Sequence, residues 1–203
     1  MAKKISTPIF RVGLLGESPN DTKAIAALLA PRYRGRVAFF PLVNNITGDN
    51  LETAGTFRQL RREYQYERPN LVVVIRDLDA LETDKAQLRK RRAYFRKVKK
   101  QVGASALYLL NIYSIEALIA AHIAVFNDYY DVRCVVETDV MTIEKPVELL
   151  KAATQTSKLR YLEGHCGDLL ARADYEMLLR NCRYFRVFDM AFAAQLPPTP
   201  EAA

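Results

Sequence analysis

Acidic side chains stand where apolar runs end. The run Ile9–Leu15 stops at Gly16 and is followed by Glu17, Ser18, Pro19, Asn20 and Asp21. The run Leu71–Ile75 (LVVVI) is followed by Arg76, Asp77, Leu78 and Asp79. A further apolar run, from about Ala106 to Leu110, precedes Ser114 and Glu116. Glu116 is the only formally charged residue between Tyr108 and Phe126. The one-residue spacing of Asp77 and Asp79 lets both side chains reach one ion as a strand unwinds into a loop. Clustered carboxylates repel one another unless something positive joins them. All-oxygen ligands of this kind suit Mg²⁺ or Mn²⁺. An ionised glutamate in a segment as apolar as that around Glu116 is costly unless it is paired or metal-bound.

Each acid also has a plainer role open to it. Asp21 can cap a helix. Asp77 and Asp79 can be loop acids that cap the next one. Glu116 can be a first-turn glutamate that satisfies the helix dipole. The ligand reading is favoured because all of these acids fall on one predicted edge of a sheet.

The elements that would place them read as follows. Strands are predicted at Ile9–Leu15, Val37–Val43, Leu71–Ile75 and Ala106–Leu110, the third with the β-branched density of a doubly covered parallel strand. Helices are predicted from Ser18 to about Pro31, from about Leu51 to Tyr64, over the basic run that starts at Lys85, and from about Ser114 to Phe126. Thr47–Asn50 reads as a turn. Alternation of this kind implies an α/β fold with a mostly parallel sheet flanked by helices. Ligands bind beyond the carboxyl ends of the strands in such sheets. If the first and third strands are neighbours, Glu17, Asp77 and Asp79 converge. After Tyr130 the pattern changes. Val132–Val136 can form one more strand, a helix starts at Pro146, and two helices fill 167–194 with an apolar stripe of Tyr184, Phe185, Phe188 and Phe192. The expected organisation is an α/β core over 8–130, a mostly helical extension packed on it over 131–194, and a disordered tail over 195–203.

The chain has 203 residues, half of them apolar and about a quarter charged, which excludes a mainly disordered protein. Three cysteines, Cys134, Cys166 and Cys182, exclude a disulfide framework and point to a reducing, cytoplasmic setting. No secretory signal is visible, and the polar residues inside Tyr108–Phe126 argue against a membrane span. Thirty Lys and Arg against 23 Asp and Glu give a net charge of +7. Much of the excess is Lys85, Arg89, Lys90, Arg91, Arg92, Arg96, Lys97, Lys99 and Lys100, nine basic residues in a stretch of sixteen with no acid. Such a field attracts polyanions, nucleic acid above all. The same run also reads as a solvated helix face. Tyr94 and Phe95 inside it can stack on bases or face the core.

The order Glu17…Asp21, Asp77-x-Asp79, Glu116 resembles the Toprim fold shared by topoisomerases, DnaG-type primases and the overcoming-lysogenization-defect nucleases. GESPNDTKAIAALL resembles the Glu-Gly-x-Ser/Thr-Asp/Glu opening of small bacterial Toprim proteins, and NIYSIEALIAAH their later Glu-containing helix. The stretch KLRYLEGHCGDLLARADYEMLLRNCRYFRVF is similar to the tail of stand-alone Toprim-like proteins of prokaryotic defence and mobile loci. Ser18 departs from the pattern, standing where the family has glycine. The resemblance implies a Toprim-type nuclease, active in phage defence. Glu17, Asp77 and Asp79 would hold Mg²⁺ or Mn²⁺, with Asp21 and Glu116 completing a second metal site and Ser114 an adjacent weak ligand. Glu17 could act instead as general acid or base. The basic run would hold the nucleic-acid backbone, and an ATPase encoded nearby is the expected protein partner. Two rivals stand beside this. One is a non-catalytic subunit that binds nucleic acid or protein. The other is a degenerate response-regulator receiver with Asp77 as phosphoacceptor and Lys145 as its lysine, which lacks the paired acids expected after the first strand. A zinc or cysteine-nucleophile site around His165-Cys166 lacks any CxxC pair.

Overall fold

The segment LVVVIRD forms the strand on which the sheet is built, β3 (Leu71–Asp77), with six of its seven residues buried. The computed structural model describes residues 9–44, 48–103 and 105–198. Strand β1 (Phe10–Leu15) lies on one side of β3 and β4 (Ala106–Asn111) on the other, with β2 (Val37–Pro41) outside β1. The order is β2-β1-β3-β4 and every pairing is parallel. The fold is therefore α/β, a four-stranded parallel sheet flanked by helices, with a helical C-terminal region.

Alternating side chains send β3 into two cores. Val73 and Ile75 join Val12, Leu14 and Leu109 on one face, while Val72 and Val74 join Leu15 and Leu42 on the other. Helices α2 (Ala54–Glu67) and α3 (Lys85–Val102) cover the second face through Leu60, Tyr94, Phe95 and Val98. The first face is covered by α1 (Pro19–Leu29) and by the C-terminal helices, and one apolar cluster runs from Val12 and Ile25 to Leu169, Phe185 and Phe192. This shared cluster is why the extension packs on the sheet.

The elements differ from the expectation in four places. The helix expected from about Ser114 to Phe126 is two, α4 (Glu116–Ala121) and α5 (Ile123–Tyr130), broken at His122 with φ −133° and ψ 60°. At the break Asn181 Nδ2 donates to the Ala121 carbonyl at 2.8 Å, and the His122 side chain turns away, its Nδ1 accepting the Asp174 N–H at 2.9 Å. Val132–Val136 is not a strand. Asn127 binds both backbone groups of Cys134, at 2.8 and 2.9 Å, which a sheet would otherwise use. After α6 (Pro146–Ala153), the region 167–194 holds three helices rather than two, α7 (Cys166–Arg172), α8 (Tyr175–Asn181) and α9 (Arg183–Ala193). Asp174 starts the additional one by accepting the N–H groups of Glu176 and Met177. In the tail, Leu196 packs on the core and Arg36 Nη2 donates to the Pro197 carbonyl at 3.2 Å, while 199–203 lie outside the described residues. Thr47 of the expected turn also lies outside them, and Gly48–Asn50 form a short 3-10 turn.

Phe192 closes the core from α9, with its ring centroid 5.1 Å from Tyr33, 6.1 Å from Phe39 and 5.7 Å from Phe188. Phe192→Ala is expected to cost about 3–5 kcal/mol in urea unfolding. A loss below about 1 kcal/mol would mean that α9 is not part of the folding unit.

Candidate functional site

Parallel pairing sets Leu15 beside Val74, so β1 and β3 end side by side. Glu17, two residues past β1, reaches across this junction. Its Oε1 accepts the Asp77 N–H at 3.0 Å and lies 3.0 Å from Arg76 Nε. Gly16 permits the tight exit, since a Cβ there would stand 3.0 Å from the Asp21 Cβ. Ser18, where the resemblance expects glycine, is the N-cap of α1. Its Oγ accepts the Asp21 N–H at 3.4 Å while Asp21 Oδ2 accepts the Ser18 N–H at 2.9 Å, a reciprocal capping box. Asp21 is thus the third residue of α1 and not its cap.

Asp77 ends β3 on the face opposite to Arg76. Its Oδ1 accepts a hydrogen bond from Asn111 Nδ2 at 2.8 Å, and Asn111, fully buried, is its register partner on β4. Glu116 opens α4 at 4% exposure. Its carboxylate takes hydroxyl donors on both oxygens, Ser114 at 2.6 Å and Tyr161 at 3.1 Å. Asp79 has a positive φ of 59° in the loop after β3 and forms an ion pair with Arg91 of α3. Asp21, Asp77, Asp79 and Glu116 face one cleft of about 220 Å³, together with Ser18, Ser114, Glu163 and Cys166. Glu17 does not line it; it approaches Asp77 through the backbone.

Burial governs the protonation of Asp21, Asp77 and Glu17. It pushes Asp21 up to about 6, against the two Ser18 hydrogen bonds that pull it down. Asp77 is pushed well above the usual carboxylate range, first by burial and then by the neighbouring charges of Asp21, Glu17 and Glu116. Glu17 is also raised by burial, with Arg76 opposing. Raised carboxylates packed together mark a place short of positive charge. Every donor is oxygen, a set that suits a hard divalent cation in type. In arrangement, no group of three or more His, Cys, Asp or Glu side chains among the described residues stands ready to hold a metal ion. The carboxylates point to protein donors instead: Glu17 to Arg76, Asp79 to Arg91, Asp77 to Asn111 and Glu116 to its two hydroxyls.

The basic run is helix α3. Lys85, Arg89, Lys90, Arg92, Arg96, Lys97, Lys99 and Lys100 are exposed along it. Arg91 is not: it is 3% exposed and turned inward to Asp79. Tyr94 and Phe95 face the core, with Phe95 stacked on Tyr108 at 4.2 Å. Arg91 lies in the row Leu88, Arg91, Phe95, Val98, a helical spacing that marks an inward position. Arg76, Asn111 and Tyr161 also serve the site unforeseen. Arg76 carried a signal, a charge inside an otherwise apolar strand. Tyr161 carried none, because it arrives from a distant segment. The three cysteines are buried and free, and burial pushes the Cys166 thiol well up, the reverse of what a nucleophile needs.

No family model, curated protein or solved structure matches the chain. Among the described residues no helix is long and apolar enough to cross a membrane.

The raised carboxyl of Asp77 predicts a pH-dependent stability. A folded value above the unfolded one stabilises below the unfolded value and loses that contribution as pH rises through the folded value. For Asp21 that window runs from 3.8 to about 6, and for Asp77 it opens at 3.8 and closes well above it. In EDTA, Asp77→Asn is expected to raise the melting temperature at pH 8 by about 3 °C or more relative to wild type, and by less at pH 5. Equal or lower melting at both pH values would contradict the assignment.

Proposed function

We propose that the chain is a metal-dependent phosphodiesterase acting on nucleic acid, a nuclease of Toprim type. The observation that carries this reading is the meeting of Asp21, Asp77, Asp79 and Glu116, from three separate stretches of sequence, in one cleft at the carboxyl edge of a parallel sheet. Asp77 and Asp79, with Glu17 behind them, are the first candidates to hold Mg²⁺ or Mn²⁺, and Asp21 and Glu116 the second set. A divalent ion there would polarise a phosphodiester and supply hydroxide near neutral pH. Asn111 and the Ser114–Tyr161 pair hold the cleft carboxylates in place. Glu17, raised by burial against the pull of Arg76, is the candidate to pass a proton. The exposed cations of α3 would bind the backbone by charge. A cytoplasmic role in phage defence beside an ATPase partner belongs to the same reading, and rests on the sequence resemblance.

One observation favours a second reading, a nucleic-acid-binding subunit without catalysis: four of the five acids are already ion-paired or hydrogen-bonded to side chains of the protein. Activity separates the two. With Mn²⁺ or Mg²⁺ the wild type is expected to nick plasmid or cut RNA, and EDTA to abolish it. Glu17→Gln is expected to lower kcat about a hundredfold while nucleic-acid affinity changes less than about twofold. Wild-type protein that binds nucleic acid but stays inert with both metals, with its genomic partner present, would leave the binding subunit as the function.

Binding is tested separately on α3. Reversing the charges of Arg89, Lys90, Arg92 and Lys99 is expected to weaken nucleic-acid affinity at least tenfold and to flatten the dependence of log K on log salt, because phosphate contacts release counterions. An unchanged slope would make the run an ordinary solvated face.

A further inference from the structure

Two of the acids at the sheet edge are held by arginines that are far more buried than they are. The Arg91 side chain is 4% exposed, whereas its partner Asp79 is 59% exposed. The Arg76 side chain is 7% exposed and its partner Glu17 22%. Neither guanidinium is satisfied. Among the described residues Arg91 Nε and Arg76 Nη1 have no hydrogen-bond partner, and Arg76 Nε meets Glu17 only as an ion pair, without hydrogen-bond alignment. The Arg76 guanidinium lies over the Tyr94 ring, 5.0 Å from its centroid, and the Tyr94 hydroxyl also lacks a partner. Its Nη2 reaches only to 3.8 Å from Glu52.

A guanidinium presents five N–H donors in a fixed fork, and a single carboxylate arm leaves several of them unmatched. Burying such a cation is tolerable only while an anion stays with it. A phosphodiester suits the fork better, since it offers non-bridging oxygens in the spacing that arginine binds in pairs. The anchored members here are the arginines. Asp79 is the acid that can leave, because its side chain is 59% exposed and already lines the cleft, whereas Glu17 also holds the Asp77 N–H.

We propose that Arg91, assisted by Arg76, is a phosphate-binding pair masked by the site's own carboxylates, so that divalent metal and nucleic-acid phosphate bind cooperatively by exchanging partners. The proposal rests on the reading of the cleft as a metal site. Metal alone must draw Asp79 off Arg91 and leave a buried cation unpaired. Phosphate alone must displace Asp79 into a cleft already crowded with acids. Together the two exchanges complement each other: Asp79 passes to the metal and Arg91 to the phosphate. The coupling is reciprocal, so metal must tighten nucleic-acid binding as much as nucleic acid tightens metal binding. The sign is diagnostic, because divalent cations ordinarily weaken binding to nucleic acid by competing for its phosphates.

The test is the affinity of the full chain for short fluorescent DNA and RNA oligonucleotides, measured by anisotropy at constant ionic strength in EDTA and in saturating Mg²⁺, with readings extrapolated to zero time. Wild type is expected to bind about tenfold more tightly in Mg²⁺. Asp79→Asn is expected to bind in EDTA about as tightly as wild type does in Mg²⁺, with no further gain from the metal. Arg91→Gln is expected to lose the gain. Glu82→Gln, in the same loop but paired with Arg183, is expected to keep it. Weaker wild-type binding in Mg²⁺, a gain that survives in Arg91→Gln, or Asp79→Asn that binds in EDTA no better than wild type would each overturn the exchange. Mn²⁺ relaxation on the protein alone separates this failure from failure of the metal reading. Mn²⁺ binding that Asp77→Asn abolishes, without any gain in oligonucleotide affinity, overturns the exchange and leaves the metal site standing. Absence of both overturns the two together.

Discussion

The parallel pairing of β1 with β3 is the constraint from which the site follows. It lays Leu15 beside Val74 and so brings the chain after Gly16 against the end of LVVVIRD. Sixty residues of sequence separate Glu17 from Asp77, yet one carboxylate oxygen of the first holds the backbone N–H of the second. The next pairing repeats the device, with Asn111 of β4 in register with Asp77 and hydrogen-bonded to it. Strand alternation then divides the labour: Asp77 falls on the face of α1 and α4, and Arg76 on the face of α2 and α3.

Charge at this edge is arranged in two layers. On one face, buried acids accumulate with neutral donors only: hydroxyls for Glu116, an amide for Asp77, the helix start for Asp21. Burial raises Asp21 and Asp77 above the usual carboxylate range. On the other face, Arg76 and Arg91 supply the cations, each tied to an acid that stands at the boundary. The molecule thus carries an acid-rich cleft beside a buried pair of under-satisfied guanidinia. A group binding between them would need positive charge toward the first layer and negative charge toward the second, which is the polarity of a metal-bound phosphate.

Much of this was legible in the sequence for local reasons. Short apolar runs marked all four strands, with β-branched density added in the third, and proline and glycine stood near their limits. The acids were visible because each follows an apolar run. What could not be read was which partner each acid would choose. Asp21 looks like a cap, but Ser18 takes that role and leaves Asp21 to return the bond. Asp79 looks like a ligand, and in this structure it belongs to Arg91. Such choices depend on side-chain geometry, which residue type and spacing do not fix. The C-terminal region was read less well because side-chain amides take its backbone groups: Asn127 holds both groups of Cys134 seven residues on, where a strand was expected, and Asn181 reaches Ala121 across sixty residues at the break before His122. Hydrophobic patterning carries no sign of either contact.

The proposed function stands on divalent metal binding in the cleft lined by Asp21, Asp77, Asp79 and Glu116. Diffraction from crystals soaked in Mn²⁺, with data collected at the manganese edge, tests it most directly. An anomalous peak is expected within bonding distance of an Asp77 carboxylate oxygen, with Asp79 turned away from Arg91. Crystals that bind Mn²⁺ only elsewhere, or not at all, with the Asp79–Arg91 pair intact, would contradict it.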